Sequence, residues 1–339
     1  MQYRIGATMR SALARRCMAG VWAGFLLAGC AASDSLSTLE GPTTAAAYQT
    51  EDWSFKDNPG KRLTSAHYQI NTTVMSDEVQ DSVVQVMEGA LGEYQKIAPG
   101  VPLAQKPMEC FLFSTRGQWA DFTREHTGVD AGIYLQITRG GYTRNDWYVA
   151  YFVGEAATYS VAAHEGWHQF VARNFKGRLP PFLEEGIATM FEDVQWRDNL
   201  PKWNLGVNRT RVQSLRRSVE GNFLYPLSEL LTLHAGNVIS QSGARIEAFY
   251  SQDWAFAEFL WAADDGKYRK AMRQLMSDTA DGSVFDPTGT LKDKQMPWNP
   301  SCAQPMLEHY LGMSLDQIDV EYQKFIRQVA YDNYAAQWN

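Results

Sequence analysis

The chain has 339 residues, of which 45% are hydrophobic and 20% are charged, a composition typical of a folded globular protein. Its formal net charge is −7, and the first 29 residues carry four arginines and no acidic residue, so the remainder of the chain stands at −11 (−7 − 4). A chain this acidic is unsuited to non-specific nucleic-acid binding, and we expect no nucleic-acid partner.

The N-terminal segment has the pattern of a secretory signal peptide. Basic residues precede a short apolar run at residues 18–28, and small residues follow at its end. The run has about a dozen residues, whereas a membrane-spanning helix needs roughly 20. We therefore predict a signal peptide over residues 1–29 and an exported protein.

Leu27-Ala28-Gly29-Cys30 resembles the lipobox of bacterial lipoproteins. The resemblance implies cleavage before Cys30, lipid attachment to that cysteine and anchoring to a membrane of the cell envelope. Because Ala31 follows the cysteine, it also implies sorting to the outer membrane, facing the periplasm. The alternative is a soluble secreted protein in which Cys30 is incidental. Small and polar residues then predict a flexible tether over residues 30–60.

The rest of the chain changes from strand patterns to helical patterns. Strand patterns cover residues 65–74, 108–113, 132–137 and 147–153, with helical patterns between them at 77–97 and 118–125. Beyond Gly154, helical patterns cover residues 155–174, 181–191, 227–233, 244–263, 268–276 and 315–334. The order predicts an α+β fold with a strand-rich subdomain over 61–154 and a mostly helical subdomain over 155–339.

Two cysteines remain after the signal peptide and the lipid-attachment site are set aside. These are Cys110 and Cys302, and an exported location permits a disulfide between them. Such a bridge would tie the early part of the fold to its C-terminal part. Two independent buried thiols are the alternative.

The segment His164-Glu165-Gly166-Trp167-His168 carries the chemistry of the chain. Residues four apart lie on one face of a helix, so both imidazoles can bind one Zn²⁺ ion. Glu165 points to a neighbouring angle, from which it can accept a proton from a zinc-activated water and then return it. Apolar neighbours and the Pro180-Pro181 stop predict a buried helix around the motif.

Glu185 is the candidate third ligand. It lies 17 positions after His168, in a segment that opens the next predicted helix. Two antiparallel helices joined by a short loop can place its carboxylate opposite the two histidines. Two histidines and one carboxylate leave a position open for water, which marks a catalytic zinc site. Glu184 is the alternative ligand, and its other interpretation is a solvent-facing helix residue.

The zinc motif followed by Glu185-Gly186-Ile187-Ala188 resembles the gluzincin metallopeptidases, the group that includes thermolysin and aminopeptidase N. Residues 181–188 are especially similar to poorly characterised bacterial peptidase-like domains of that group. The resemblance covers about residues 65–260 and is strong over 161–193. It implies a thermolysin-like core and the hydrolysis of peptide bonds in a peptide or protein substrate, with Glu165 as general base.

The resemblance also implies a role for Tyr250, which opens the segment 250–260. In these families a tyrosine at this place donates a hydrogen bond to the oxyanion of the tetrahedral intermediate. His234 is an alternative electrophile, and its other interpretation is a structural histidine. The chain has no Gly-Ala-Met-Glu-type exopeptidase motif, so we expect an endopeptidase or a hydrolase of narrow specificity. The predicted strand 147–153 is the expected edge for pairing with an extended peptide.

Polar residues near the third ligand can orient the ligand histidines. The candidates are Glu192, Asp193 and Thr189, although the first two fit equally well as surface residues. The intact motif favours an active zinc peptidase on a lipid anchor. The alternatives are a catalytically silent envelope lipoprotein used for binding or assembly, and a zinc amidase acting on a non-peptide envelope substrate.

Overall fold

The computed structural model describes residues 38–331, except residues 139, 205–207 and 239. The predicted signal peptide, the lipid-attachment site Cys30 and the start of the predicted tether lie outside the described residues. Among the helices that the structure describes, none is both long enough and apolar enough to cross a membrane.

The strands form two sheets. In chain order they are β1 (Thr38–Leu39), β2 (Gln49–Phe55), β3 (Asn58–Thr64), β4 (Tyr68–Thr72), β5 (Met108–Phe113), β6 (Gly141–Arg144), β7 (Trp147–Tyr151), β8 (Val194–Arg197) and β9 (Leu200–Asn204). A six-stranded sheet has the order β2-β3-β4-β5-β7-β6, with β4, β5 and β7 parallel and the outer pairs antiparallel. A small antiparallel sheet has the order β1-β9-β8.

Helices dominate from residue 155 onward. The α-helices of the whole described part of the chain are, in order, α1 (Asp77–Ile97), α2 (Arg116–Thr127), α3 (Ala131–Tyr134), α4 (Glu155–Asn174), α5 (Pro181–Met190), α6 (Arg209–Glu220), α7 (Leu227–Leu230), α8 (Ala235–Val238), α9 (Gly243–Gly266), α10 (Arg269–Asp281), α11 (Ala303–Leu311) and α12 (Leu315–Tyr331). A strand-rich N-terminal part and a helical C-terminal part confirm the predicted α+β class.

The six-stranded sheet lies between two apolar layers. Successive side chains of a strand point to opposite faces, and β7 shows this alternation. Its Tyr148 and Ala150 belong to the main core, which α1 and α4 complete on one face. Its Val149 and Tyr151 belong to a second cluster on the other face, around Trp119 of α2. Helix α4 therefore packs on one face of the sheet, and α2 packs on the other.

The predictions for α1 and α4 are confirmed at both ends of each helix. The N-cap of α1 is Ser76, whose side chain accepts a hydrogen bond from the backbone N–H of Val79. α5 begins at Pro181, as a proline in the first turn favours. Strong helical periodicity and clear end signals account for this agreement.

The prediction of a flexible tether over residues 30–60 is wrong for its described portion. Residues 49–64 form the β2–β3 hairpin of the six-stranded sheet. Before it, Gln85 of α1 binds both backbone groups of Ala46, at 2.7 Å and 3.1 Å. Gly41 has φ +62° and leaves no room for a side chain beside the Pro201 carbonyl oxygen. The small residues there serve close packing and not flexibility.

Two predictions about strands near the site are also wrong. Residues 132–137 form α3 and a turn, in which the backbone N–H of Leu135 donates to the Ala131 carbonyl. Strand β7 is not an edge, since it lies between β5 and β6. The chain turns back at Asn145 and Asp146, and the short strand β6 forms the edge instead.

The predicted disulfide between Cys110 and Cys302 is absent, because both cysteines are free and buried. Cys110 lies on β5 and faces α4, where its thiol donates to Gln169 Oε1 at 3.4 Å. Cys302 lies at the start of α11, in a different part of the core. The alternative of two independent buried thiols describes the structure.

Candidate metal centre

The zinc motif lies in the middle of α4, where this helix packs tightly on α1. The Tyr94 hydroxyl of α1 donates to the Ala163 carbonyl oxygen. A Cβ on Gly166 would lie 2.8 Å from that hydroxyl, so a glycine at this position of the motif permits the contact. His164 and His168 are partly buried, whereas Glu165 is 9% exposed. The tight packing fixes the direction in which the two imidazoles point.

Helix α5 supplies Glu185 and is held by α9. A side chain on Gly186 would collide with the Asp253 carbonyl oxygen and would lie 3.0 Å from the Cβ of Ala257. Only glycine allows the two helix backbones to approach this closely. The approach places Glu185, the preceding residue, beside the two histidines.

The three predicted ligands converge on one point. The Nε2 atoms of His164 and His168 lie 3.3 Å apart, and Glu185 Oε2 lies 3.6 Å from the first and 3.7 Å from the second. Ligand atoms at zinc-ligand distances around a tetrahedral ion are separated by about 3.3–3.5 Å. The donor types and their spacing therefore fit one zinc ion.

Each ligand histidine has its second ring nitrogen fixed by a carboxylate. His164 Nδ1 donates to Glu192 Oε1 at 3.1 Å, and His168 Nδ1 donates to Glu184 Oε1 at 3.0 Å. Such bonds hold each ring so that its Nε2 faces the point at which the three ligand atoms converge. Glu192 was a predicted candidate for this contact. Glu184 was predicted either as the alternative ligand or as a solvent-facing residue, and its orienting contact was missed.

The other two candidates for orienting a histidine make different contacts. The Thr189 hydroxyl donates to the Gly186 carbonyl at 2.7 Å, and the Asp193 carboxylate accepts from Gln195 at 3.4 Å. Both contacts are local to the end of α5 and the start of β8. Closeness in sequence to the third ligand did not distinguish these residues from Glu192.

Glu192 is itself held by helix α6. Arg211 donates to both of its carboxylate oxygens, at 2.6 Å and 2.7 Å, and Asn208 donates at 3.3 Å. Asn208 is also the N-cap of α6, since its side chain accepts from the Arg211 backbone N–H at 3.1 Å. The residue pattern does not predict α6, which carries both residues, because the helix is mostly polar and few of its side chains are buried. The Asn208 capping signal was the available clue.

The charges of the site are mutually stabilised. Burial would lower the pKa of His164, but hydrogen bonds to Glu185 and Glu192 outweigh it and raise the pKa to about 9. Burial would raise the pKa of Glu192, but the charge of Arg211 outweighs it and lowers the pKa to about 2. The pKa of Glu185 is likewise lowered, because the two histidines outweigh its burial. Glu185 and Glu192 are therefore both ionised at neutral pH.

Glu165 faces the strand side of the site. The hydroxyl of Thr143, on edge strand β6, lies 2.9 Å from Glu165 Oε2 and 3.1 Å from the Glu165 carbonyl oxygen. Sequence reasoning did not identify Thr143, since residues 141–144 were not predicted as a strand. The carboxylate of Glu165 therefore contacts the edge strand of the six-stranded sheet.

Tyr250 lies near the start of α9, with the Arg211 guanidinium 5.3 Å from the centre of its ring. Burial is the main cause of the raised pKa of Tyr250, and the charge of Glu185 adds to it. The phenol is therefore neutral and lies within electrostatic reach of the metal ligands. His234 lies in the turn before α8, where its backbone N–H donates to Asn237 Oδ1.

No model of a known protein family matches this chain, and the search of curated proteins gives no match.

Proposed function

We propose that this chain is a zinc-dependent hydrolase with a thermolysin-like core that cleaves peptide bonds. The observation that supports this most strongly is the triangle of 3.3, 3.6 and 3.7 Å between the ligand atoms of His164, His168 and Glu185. A carboxylate, Glu165, follows the first ligand directly and is available for proton transfer. A purely structural zinc site needs no such neighbour and has four protein ligands.

A zinc ion held by these three residues would polarise a substrate carbonyl and make water more acidic. Glu165 accepts the proton that the attacking water loses and delivers it to the departing amine. Glu192 and Glu184 keep both imidazoles in the orientation that binds metal. Tyr250, neutral at working pH, donates a hydrogen bond to the developing oxyanion.

The edge strand favours a peptide as the substrate. Strand β6 is the last strand of the six-stranded sheet, so one side of its backbone has no strand neighbour in that sheet. An extended peptide can pair with such an edge and present its carbonyl groups in a fixed register. A small non-peptide amide would not pair with this edge, so we favour the peptidase over the zinc amidase.

The place of action stays a prediction from the sequence. We propose that the mature protein begins at Cys30, carries a lipid there, and faces the periplasm from the outer membrane. Its substrate would then be a peptide or protein of the cell envelope.

The decisive experiment measures zinc by mass spectrometry in the chain lacking residues 1–29, together with peptide-library hydrolysis. We expect near-stoichiometric zinc in the parent and in Glu165→Gln, but none in His168→Ala. Glu165→Gln should lose about two to four powers of ten in rate, because it cannot accept the proton. His309→Ala is the matched control, because His309 stacks on Phe285 at the surface and should retain both zinc and activity.

Three outcomes would change the proposal. A parent without zinc after reconstitution would refute it. Zinc with hydrolysis of non-peptide amides alone would support the amidase. Zinc with no hydrolysis of either class would support a silent binding protein.

A further inference from the structure

The contact between Thr143 and Glu165 joins the edge of the sheet to the zinc motif. The hydroxyl has one proton and faces two acceptors, the Glu165 carboxylate at 2.9 Å and the Glu165 carbonyl at 3.1 Å. Among the residues that the structure describes, Thr143 is the one side chain that hydrogen-bonds to this carboxylate. A hydrogen bond to a charged group is worth more than one between neutral groups.

Glycines bring the strand close enough for this contact. Gly140 has φ +119°, a conformation that other residues rarely adopt, and a Cβ there would lie 3.7 Å from Val161 of α4. A Cβ on Gly141 would lie 2.8 Å from the Val149 carbonyl oxygen. At the start of β6, the backbone therefore lies too close to β7 for a side chain and within van der Waals distance of α4.

The register of β6 gives Thr143 a second role. Arg144 pairs with Trp147 across a two-residue turn, so these two residues form a hydrogen-bonded pair and Thr143 does not. The backbone N–H and C=O of Thr143 then point to the open edge of the sheet. Its side chain points towards α4, whereas the neighbouring Tyr142 points into the second apolar cluster.

We propose that Thr143 is a positioning residue that fixes the carboxylate of Glu165 relative to the strand on which the substrate pairs. This inference rests on the proposed function. The backbone of Thr143 sets the register of the bound peptide, and its hydroxyl sets the position of the general base. Loss of the hydroxyl displaces the base while the edge and the metal ligands remain.

The test compares Thr143→Val, which keeps the shape of the side chain, with Thr143→Ser, which keeps the hydroxyl. We expect Thr143→Val to lower kcat by about tenfold or more, the effect of losing one hydrogen bond to a charged group. KM should change by less than about twofold, because peptide binding uses the backbone. Thr143→Ser should restore kcat, and both variants should keep the zinc content of the parent.

Thr123→Val is the matched control. Thr123 lies on α2, and its buried hydroxyl lies 3.1 Å from the hydroxyl of Tyr142, the β6 residue next to Thr143. The variant therefore removes a hydroxyl close to β6 that does not contact Glu165. We expect its kcat to equal that of the parent. An unchanged kcat in Thr143→Val, or an equal loss in Thr123→Val, would overturn the positioning role.

A second readout does not depend on turnover. In the metal-free protein, we would measure the urea midpoints of Thr143→Val, Glu165→Ala and the double variant. If the hydroxyl and the carboxylate are in contact, the loss caused by Thr143→Val shrinks in the Glu165→Ala background. Additive midpoints would overturn the contact itself. A parent that is inactive on every peptide refutes the proposed function, while the coupling still reports on this hydrogen bond separately.

Discussion

On the helical side of the site, both ligand histidines are fixed by carboxylates, and one of these carboxylates is fixed in turn by Arg211 and Asn208. On the strand side, Glu165 receives one hydroxyl from a four-residue edge strand. The contrast teaches that several hydrogen-bonding partners hold the metal ligands. On the side where a peptide would enter, one hydroxyl among the described residues holds the Glu165 carboxylate. A precise ligand geometry needs a complete supporting shell, whereas a binding edge must stay accessible.

The largest effect should come from Gly186→Ala, on the helical side. The added methyl group collides with the Asp253 backbone, so α5 must move away from α9 and carry Glu185 with it. We expect the free energy of unfolding to fall by about 3 kcal/mol, at the upper end for overpacking, and zinc binding to weaken. Urea denaturation and zinc titration measure the two effects.

Gly132→Ala is the control on the strand side. Gly132 lies in α3, and a Cβ there would meet no atom within 4 Å. Alanine is the better helix former, so the variant should be as stable as the parent or slightly more stable. Equal stability of Gly186→Ala and the parent would show that the contact between α5 and α9 can adapt.

The next effect should come from Arg211→Met. It removes two hydrogen bonds from Glu192, which then orients His164 less firmly and keeps a buried charge without its arginine partner. Loss of such outer partners typically costs about 10–100-fold in metal affinity, and we expect a loss in this range. Competition with a chelator of known affinity measures it.

The control for Arg211 is Arg217→Met on the same helix. Arg217 is exposed, and its ion pair with Glu247 at 2.9 Å lies away from the metal ligands. Zinc affinity should stay at the value of the parent. A similar loss in both variants would mean that α6 acts through its general stability and not through Glu192.

The smallest effect should come from Asp130→Asn, on the strand side. Asp130 pairs with Arg144 of β6 at 3.0 Å, but the two side chains are 46% and 31% exposed. An exposed ion pair contributes at most about 1 kcal/mol, and salt weakens it further. Thermal unfolding at low and high salt should show a small shift that disappears in high salt. A loss as large as that of Gly186→Ala would erase the contrast between the two sides.

Local signals explain which parts of the fold could be predicted. Helices α1 and α4 have strong apolar periodicity, and α5 begins at a proline, so their positions follow from nearby residues. The convergence of His164, His168 and Glu185 follows from a four-residue spacing and a short connection between two helices. Each inference needs information from a single stretch of the chain.

The missed features depend on residues far apart in sequence. Strand β2 is mostly exposed, so its composition resembles that of a linker, and its pairing with β3 defines it as a strand. Arg211 reaches Glu192 from α6, a mostly polar helix with few buried side chains. Thr143 reaches Glu165 from an edge strand whose close packing on β7 requires a glycine at position 141. Close packing between elements that are distant in sequence decides these contacts. The local secondary-structure propensity of each segment does not.

The two free cysteines have a consequence for maturation. Both thiols are buried, and burial raises the pKa of each, so little reactive thiolate is present at neutral pH. Apolar packing, and no covalent crosslink, holds the described part of the chain together. Among the described residues, the fold therefore depends on no disulfide that a reductant could break.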